Sequence, residues 1–142
     1  MYEAYGIEVE NLKWKKNASE RLMERYLSDK NNAEVFAEYC KDNGYDPNSA
    51  EARKYFVEDY TTDTSYGIEG MLVDLINNRE NAGWQEFVEQ DYCIAVPATL
   101  PSDQKKKAEM LTEKDIRIIL TEYLNDLLEE PATIQWLSIT DN

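Results

Sequence analysis

TEKDIRIILTEYLNDLLEEP, residues 112–131, is the clearest helical pattern in the chain, and the predicted fold is built around it. Thr112 and Asp115 have the spacing of a capping box, which is the signature of a helix N-terminus. Pro131 cannot continue a helix and ends the pattern. Between them, apolar residues recur at the three- and four-residue spacing of a buried helical face: Ile116, Ile119, Leu120, Tyr123, Leu124, Leu127 and Leu128. The stretch therefore predicts an amphipathic helix that must pack against another layer of structure.

Four further helices are predicted upstream of this stretch. Their signals are apolar residues at helical spacing, a cap residue before each of the first three, and a glycine suited to the end of the second. The first helix is predicted at residues 18–30, after a cap at Asn17 or Ser19, and the second from a cap at Asn32 to Gly44. The third extends from the capping-box pattern of Asn48 and Glu51 to Tyr60, and the fourth covers residues 66–78. Residues 17–80 are expected to form a helical subdomain.

Strand signals occur near both ends of the chain and in its middle. Residues 2–15 alternate loosely and predict a strand with a bulge, or a short hairpin, near Gly6. The segment YCIAVPA, residues 92–98, predicts a strand that Pro97 either places at a sheet edge or ends. The segment ATIQWLSI, residues 132–139, predicts another strand, and residues 84–88 predict one more helical turn.

The expected fold class follows from this order of elements. It is α+β: a mainly helical single domain, residues 1–142, with a small antiparallel sheet of two to three strands. Residues 84–142 supply the sheet-forming segments and the C-terminal helix. The two cysteines, Cys40 and Cys93, lie inside apolar patterns and are expected to be buried free thiols.

The net charge limits the classes of partner. The 142 residues contain 29 acids, 15 bases and no histidine, which gives a formal net charge of −14. A field of that sign repels nucleic acid and anionic membranes and attracts basic surfaces. We therefore expect no direct nucleic-acid binding, no membrane contact and a basic protein partner. Without a long apolar run or a secretory pattern, the protein is expected to be cytoplasmic.

Motifs for catalysis and cofactor binding fail one by one. Without histidine, a zinc site and the Ser-His and Cys-His pairs have no support. The acidic stretch YFVEDYTTDTSYG, residues 55–67, does not match a calcium-binding loop, and the glycines do not form a phosphate-binding motif. We predict no catalytic residue, no metal ligand and no cofactor. A small carboxylate enzyme that uses Asp59, Asp63 or Glu69 with a tyrosine is kept as the third hypothesis.

The spacing of the acids is more informative. Glu34, Glu38 and Asp42, the first ladder, are four residues apart on the face of a predicted helix opposite its apolar residues. The second ladder lies at the end of the last helix and contains Glu122, Asp126, Glu129 and Glu130. Like charges at this spacing destabilise a helix slightly, and acids in its last turn oppose the dipole. Stability alone does not favour them, although a solvated polar face is the simpler interpretation.

These features resemble, in composition and not in any motif, the small acidic inhibitors that phages and mobile elements carry against restriction and CRISPR enzymes. The resemblance implies a non-enzymatic protein that occupies the basic nucleic-acid groove of a target by phosphate mimicry. The alternative is an adaptor or assembly protein with a tyrosine-rich interface, which a homodimer would also satisfy. The predicted partner-binding residues are Glu34, Glu38, Asp42, Asp46, Glu58, Asp59, Asp63, Tyr60, Tyr66, Glu122, Asp126, Glu129 and Glu130.

Overall fold

A computed structural model describes residues 2–62, 65–79, 86–97 and 111–139 of the protein. Within these ranges the fold is α+β and mainly helical, as the sequence predicts, but the sheet has four strands and not two or three. The strands are β1 (Tyr2–Glu8), β2 (Val88–Gln90), β3 (Cys93–Pro97) and β4 (Gln135–Ile139). The helices are α1 (Ala18–Leu27), α2 (Lys30–Asn43), α3 (Ala50–Asp59), α4 (Gly67–Arg79) and α5 (Glu113–Leu124), and a 3₁₀ turn covers Val9–Asn11.

The sheet is antiparallel throughout, in the order β2-β3-β1-β4, so β1 is an inner strand. The expected bulge or hairpin at Gly6 is absent from β1, whose pairing runs without interruption through Gly6 to Ala95 on one side and Gln135 on the other. Glycine is needed there for another reason. A Cβ at this position would overlap the carbonyl oxygen of Ile94 in β3.

The segment around β3 differs from the sequence prediction in two respects. β3 lies between β2 and β1, so Pro97 does not mark an edge strand; it is the last residue of β3 and ends it. The helical turn predicted at residues 84–88 is wrong where it can be checked, because Val88 begins β2. Trp84 lies outside the described residues. Asp91 and Tyr92, both with positive φ, form the two-residue turn between β2 and β3.

α5 packs its apolar face against the sheet and the other helices. Ile116, Leu120 and Tyr123 are buried, and the predicted capping box of Thr112 and Asp115 is present. The helix ends earlier than Pro131 because the chain turns after Leu124. Leu127 is buried all the same in the turn that follows, and Leu128 is buried where it forms a β-bridge with Trp14. The apolar pattern predicted their burial correctly and their helical conformation incorrectly.

α1 to α4 surround an aromatic cluster in which Phe56 of α3 contacts Tyr26, Phe36, Tyr39 and Tyr60. The predicted C-terminal glycine of α2 is confirmed, since Gly44 has the left-handed φ of 73°.

Three N-caps differ from the prediction. Asn17 occupies the N-cap position of α1, but its side chain accepts no capping hydrogen bond. Asp29, and not Asn32, caps α2 by accepting the backbone N–H groups of Asn31 and Asn32. Ser49, and not Asn48, caps α3 through the N–H of Ala52. Both cysteines are buried and free. No described helix is long and apolar enough to cross a membrane.

Candidate partner-binding surface

The first ladder lies along α2, on the side away from Phe36 and Cys40, which are buried. Glu34, Glu38 and Asp42 are exposed, and none of them forms an ion pair with any base that the structure describes. Four helical residues rise about 6 Å, so the three carboxylates form a row about 12 Å long. Lys41 lies on the same face at helical spacing, and Lys30 is in the first turn. The ladder is therefore free of ion pairs, but bases are present on its helix.

The acidic surface continues from α2 to the end of α3. The hydroxyl of Tyr39 in α2 donates a hydrogen bond to Asp59, 2.8 Å between oxygens. Burial and this hydrogen bond raise the pKa of Tyr39, so the phenol stays protonated and holds Asp59 beside α2. Glu58 is exposed next to Asp59. In the turn between the helices, Asp46 is exposed and accepts the N–H of Asn48.

The second ladder has a different environment. Arg25 of α1 forms an ion pair with Asp126 at 3.3 Å, and Lys13 forms one with Glu130, also at 3.3 Å. Glu122 and Glu129 are exposed and form no ion pair within the described ranges. Two of the four acids are therefore neutralised by bases from distant segments of the chain. The bases were missed because they lie about a hundred residues away, too far in sequence for any pattern to connect.

Arg25 does more than pair with Asp126. Its guanidinium donates to the carbonyl oxygens of Glu122 (3.2 Å) and Tyr123 (3.4 Å) in the last turn of α5, and it lies over the Tyr123 ring, 5.3 Å from the centroid. Carbonyls at a helix C-terminus lack intrahelical donors and carry partial negative charge. Arg25 satisfies them and joins α1 to α5.

The two tyrosines that the sequence selected lie in different environments. Tyr66, directly before α4, is 75% exposed. Tyr60 is partly buried, and its hydroxyl donates to Asp74 at 2.8 Å. Burial and this hydrogen bond raise the pKa of Tyr60. Tyr66 is exposed to solvent, whereas Tyr60 belongs mainly to the packing of α3 against α4. Asp63 lies outside the described residues.

A groove of about 480 Å³ adjoins Tyr66, between the start of α1, the end of α3 and the start of α4. Its apolar wall contains Trp14, Val57 and Ile68, and the residues Tyr66, Glu58, Glu69 and Lys15 supply its aromatic and charged groups. We call it the Tyr66 groove. The sequence singled out Glu58, Glu69 and Tyr66 without connecting them to Trp14, because the contact depends on how α1 packs against α3 and α4.

The residues of the carboxylate-enzyme hypothesis separate in the structure. Glu69 lines the Tyr66 groove, whereas Asp59 is bonded to Tyr39 and does not line it. In the part of the chain that the structure describes, no three cysteine or acidic residues are grouped so that they could hold a metal ion.

Comparison of the chain with protein-family models, with curated proteins and with solved structures found no match. The geometry and charge of the two ladders and the Tyr66 groove are therefore the basis for a functional proposal.

Proposed function

We propose that the protein is a non-enzymatic inhibitor that occupies the basic nucleic-acid groove of a target protein by phosphate mimicry. The observation that carries this proposal is the first ladder, whose exposed carboxylates form no ion pair with the described bases. Their spacing of about 6 Å along α2 is comparable to that of successive phosphates on a nucleic-acid strand. Asp46, Glu58 and Asp59 extend the same sign of charge beyond α2.

Two physical arguments support this class of partner. The net charge of −14 repels nucleic acid itself and speeds encounter with a basic surface. Exposed acids that stay unpaired also lose no intramolecular partner when a target binds them. Such an interface depends on ionic strength, because exposed charges are screened within about 8 Å at physiological salt.

The test is capture of targets from a bacterial lysate at low salt, followed by stepwise salt elution and by competition with double-stranded DNA. We expect nucleic-acid-binding proteins that DNA displaces. The triple variant E34K/E38K/D42K should bind the recovered target about a hundredfold more weakly, because it repels the basic groove.

The matched control reverses three exposed acids elsewhere, E10K/E20K/E24K, on the 3₁₀ turn and α1. It changes the net charge by the same amount and should weaken binding much less. Equal losses would show that only net charge matters. Targets that neither salt nor DNA releases would reject phosphate mimicry.

The second candidate is an adaptor or assembly protein that binds through aromatic contacts. The exposure of Tyr66 beside the Tyr66 groove favours it. A homodimer formed there would give a mass in light scattering that rises with concentration, and Tyr66→Lys would abolish the rise.

A further inference from the structure

The Tyr66 groove combines an apolar wall with two carboxylates. Val57 is buried and Ile68 partly buried, and Glu58 and Glu69 line the same groove. Glu69 is in the first turn of α4, with a carboxylate oxygen 3.6 Å from the position that a Cβ on Gly67 would take. A ligand that fits must therefore be apolar along its length and positively charged at its tip.

An acid on strand β2 also favours a positively charged ligand. Glu89 of β2 has a raised pKa, first because of burial and then because of the negative charge of Glu69. Neither Glu89 nor Glu69 forms an ion pair with a described base. Lys15 is the one base among the residues that line the groove, and it too has no ion pair within the described ranges. Carboxylates therefore outnumber bases among the described residues that line the groove, and a cation bound there would be stabilised.

We propose that the Tyr66 groove receives an arginine side chain of the basic partner, an inference that rests on the proposed function. The guanidinium carries five N–H donors in a plane, so it can bond to Glu58 and Glu69 and stack on the Tyr66 ring. Its three methylene groups would pack on Val57 and Ile68. Hydrogen bonds between charged groups are about twice as strong as neutral ones.

Other occupants fit less well. A purely apolar segment would remove Glu58 and Glu69 from water without a counter-charge, which is costly. An acidic segment would meet like charges. A lysine would supply charge, but its ammonium lacks the planar fork that can reach two carboxylates and an aromatic face together.

The groove also continues the surface of the first ladder. Tyr39 of α2 binds Asp59, and Glu58 precedes Asp59 in α3. A partner on the first ladder therefore has a path along Asp59 and Glu58 to the groove, and a protruding arginine at its rim would serve as an anchor.

The experiment measures fluorescence anisotropy of a labelled peptide in which arginine and glycine alternate. A matched peptide carries citrulline, which has nearly the same shape without the charge. We expect the arginine peptide to bind the intact protein at least about tenfold more tightly than the citrulline peptide. Equal affinity, or no binding of the arginine peptide, would overturn the inference.

Single substitutions test the position of the arginine. Glu58→Gln and Glu69→Gln should each weaken binding about fivefold, and Tyr66→Ala should do so too, while Tyr66→Phe retains the stacking face. Lys15→Gln should strengthen binding about threefold, because it removes the base that competes with the ligand.

Glu20→Gln and Glu24→Gln on α1 are the controls, since they change the charge equally away from the groove. Thermal melting of each variant shows that it is folded. If the controls weaken binding as much as Glu58→Gln and Glu69→Gln, the peptide binds the general field and the inference fails.

The two proposals fail differently. If the groove variants keep full affinity for a DNA-displaced target while E34K/E38K/D42K loses it, the arginine site is wrong and the proposed function stands. If the arginine peptide binds the groove but no captured target is displaced by DNA, phosphate mimicry is wrong and the arginine site stands.

Discussion

The two acidic ladders have the same sequence pattern and different surroundings. Acids at four-residue spacing lie along α2, and a similar run begins at the end of α5 and continues beyond it. Just beyond α5, Asp126 and Glu130 form ion pairs with Arg25 and Lys13 of distant segments, whereas none of the acids on α2 forms an ion pair within the described part of the chain. A run of acids on a helix thus does not by itself identify an interaction surface, because the tertiary fold can use it to fasten another segment.

The difference follows from what packs beside each helix. α1 lies against the end of α5 and places Arg25 at the carbonyls of Glu122 and Tyr123. The acid-bearing face of α2 is exposed at Glu34, Glu38 and Asp42. The second ladder therefore takes part in contacts between distant segments, whereas the first forms no ion pair among the described residues.

The largest expected effect is the loss of Arg25. Arg25→Ala removes the bonds to two carbonyls, the ion pair with Asp126 and the contact with the Tyr123 ring, and Arg25 is only 24% exposed. We expect the free energy of unfolding to fall by about 2 kcal/mol, as for hydrogen bonds to charged groups. Urea denaturation measures it.

The matched control on α2 is Lys41→Ala, which removes a base without an ion pair among the described residues. Its cost should stay below about 0.5 kcal/mol, which is usual for a surface substitution. Similar losses for the two variants would contradict the difference between the ladders.

Charge reversal should have smaller effects on stability, and these effects should be opposite in sign for the two ladders. Asp126→Lys replaces the partner of Arg25 by a like charge and should destabilise the protein by about 1 kcal/mol. Asp42→Lys is in the last turn of α2, where a base suits the helix dipole, and should stabilise by about 0.3 kcal/mol. Thermal denaturation of both variants at low and high salt checks the signs, and both differences should shrink as salt screens the charges.

The smallest expected effect is the pH-dependent contribution of the capping box at the start of α5 to stability. Hydrogen bonds from the backbone N–H and hydroxyl of Thr112 lower the pKa of Asp115 below its ordinary 3.8. A lowered folded-state pKa stabilises the protein above the ordinary pKa, and this contribution is lost as the pH falls through the folded pKa. Asp115→Asn should cost only about 0.2 kcal/mol at pH 7, because Asp115 is exposed and solvent screens its charge.

The cost of Asp115→Asn should disappear at pH values below the lowered pKa. Urea denaturation at a series of pH values measures this. A cost that persists unchanged in acid would show that charge plays no part in the capping box.

Much of the fold was predictable because its signals are local. The apolar faces, the capping box at Thr112 and the glycine at the end of α2 all follow from spacing within a few residues. The caps at Asp29 and Ser49 were displaced from the predicted positions because neighbouring polar residues compete for the same N–H groups. The inner position of β3 could not be predicted, since strand order depends on contacts between residues about ninety positions apart.

The charge of the protein, the periodicity of its helices and the faces that turn inward follow from the sequence alone, because they depend on residue type and on spacings shorter than two helical turns. Three further features depend on tertiary contacts. Arg25 and Lys13 neutralise part of the second ladder, the first ladder forms no ion pair within the described residues, and Trp14 and Tyr66 line one groove. The two ion pairs and the groove join segments that are distant in sequence. The packing of α1 against other helices and the backbone pairing of residues 13–15 with residues 127–129 bring these segments into contact.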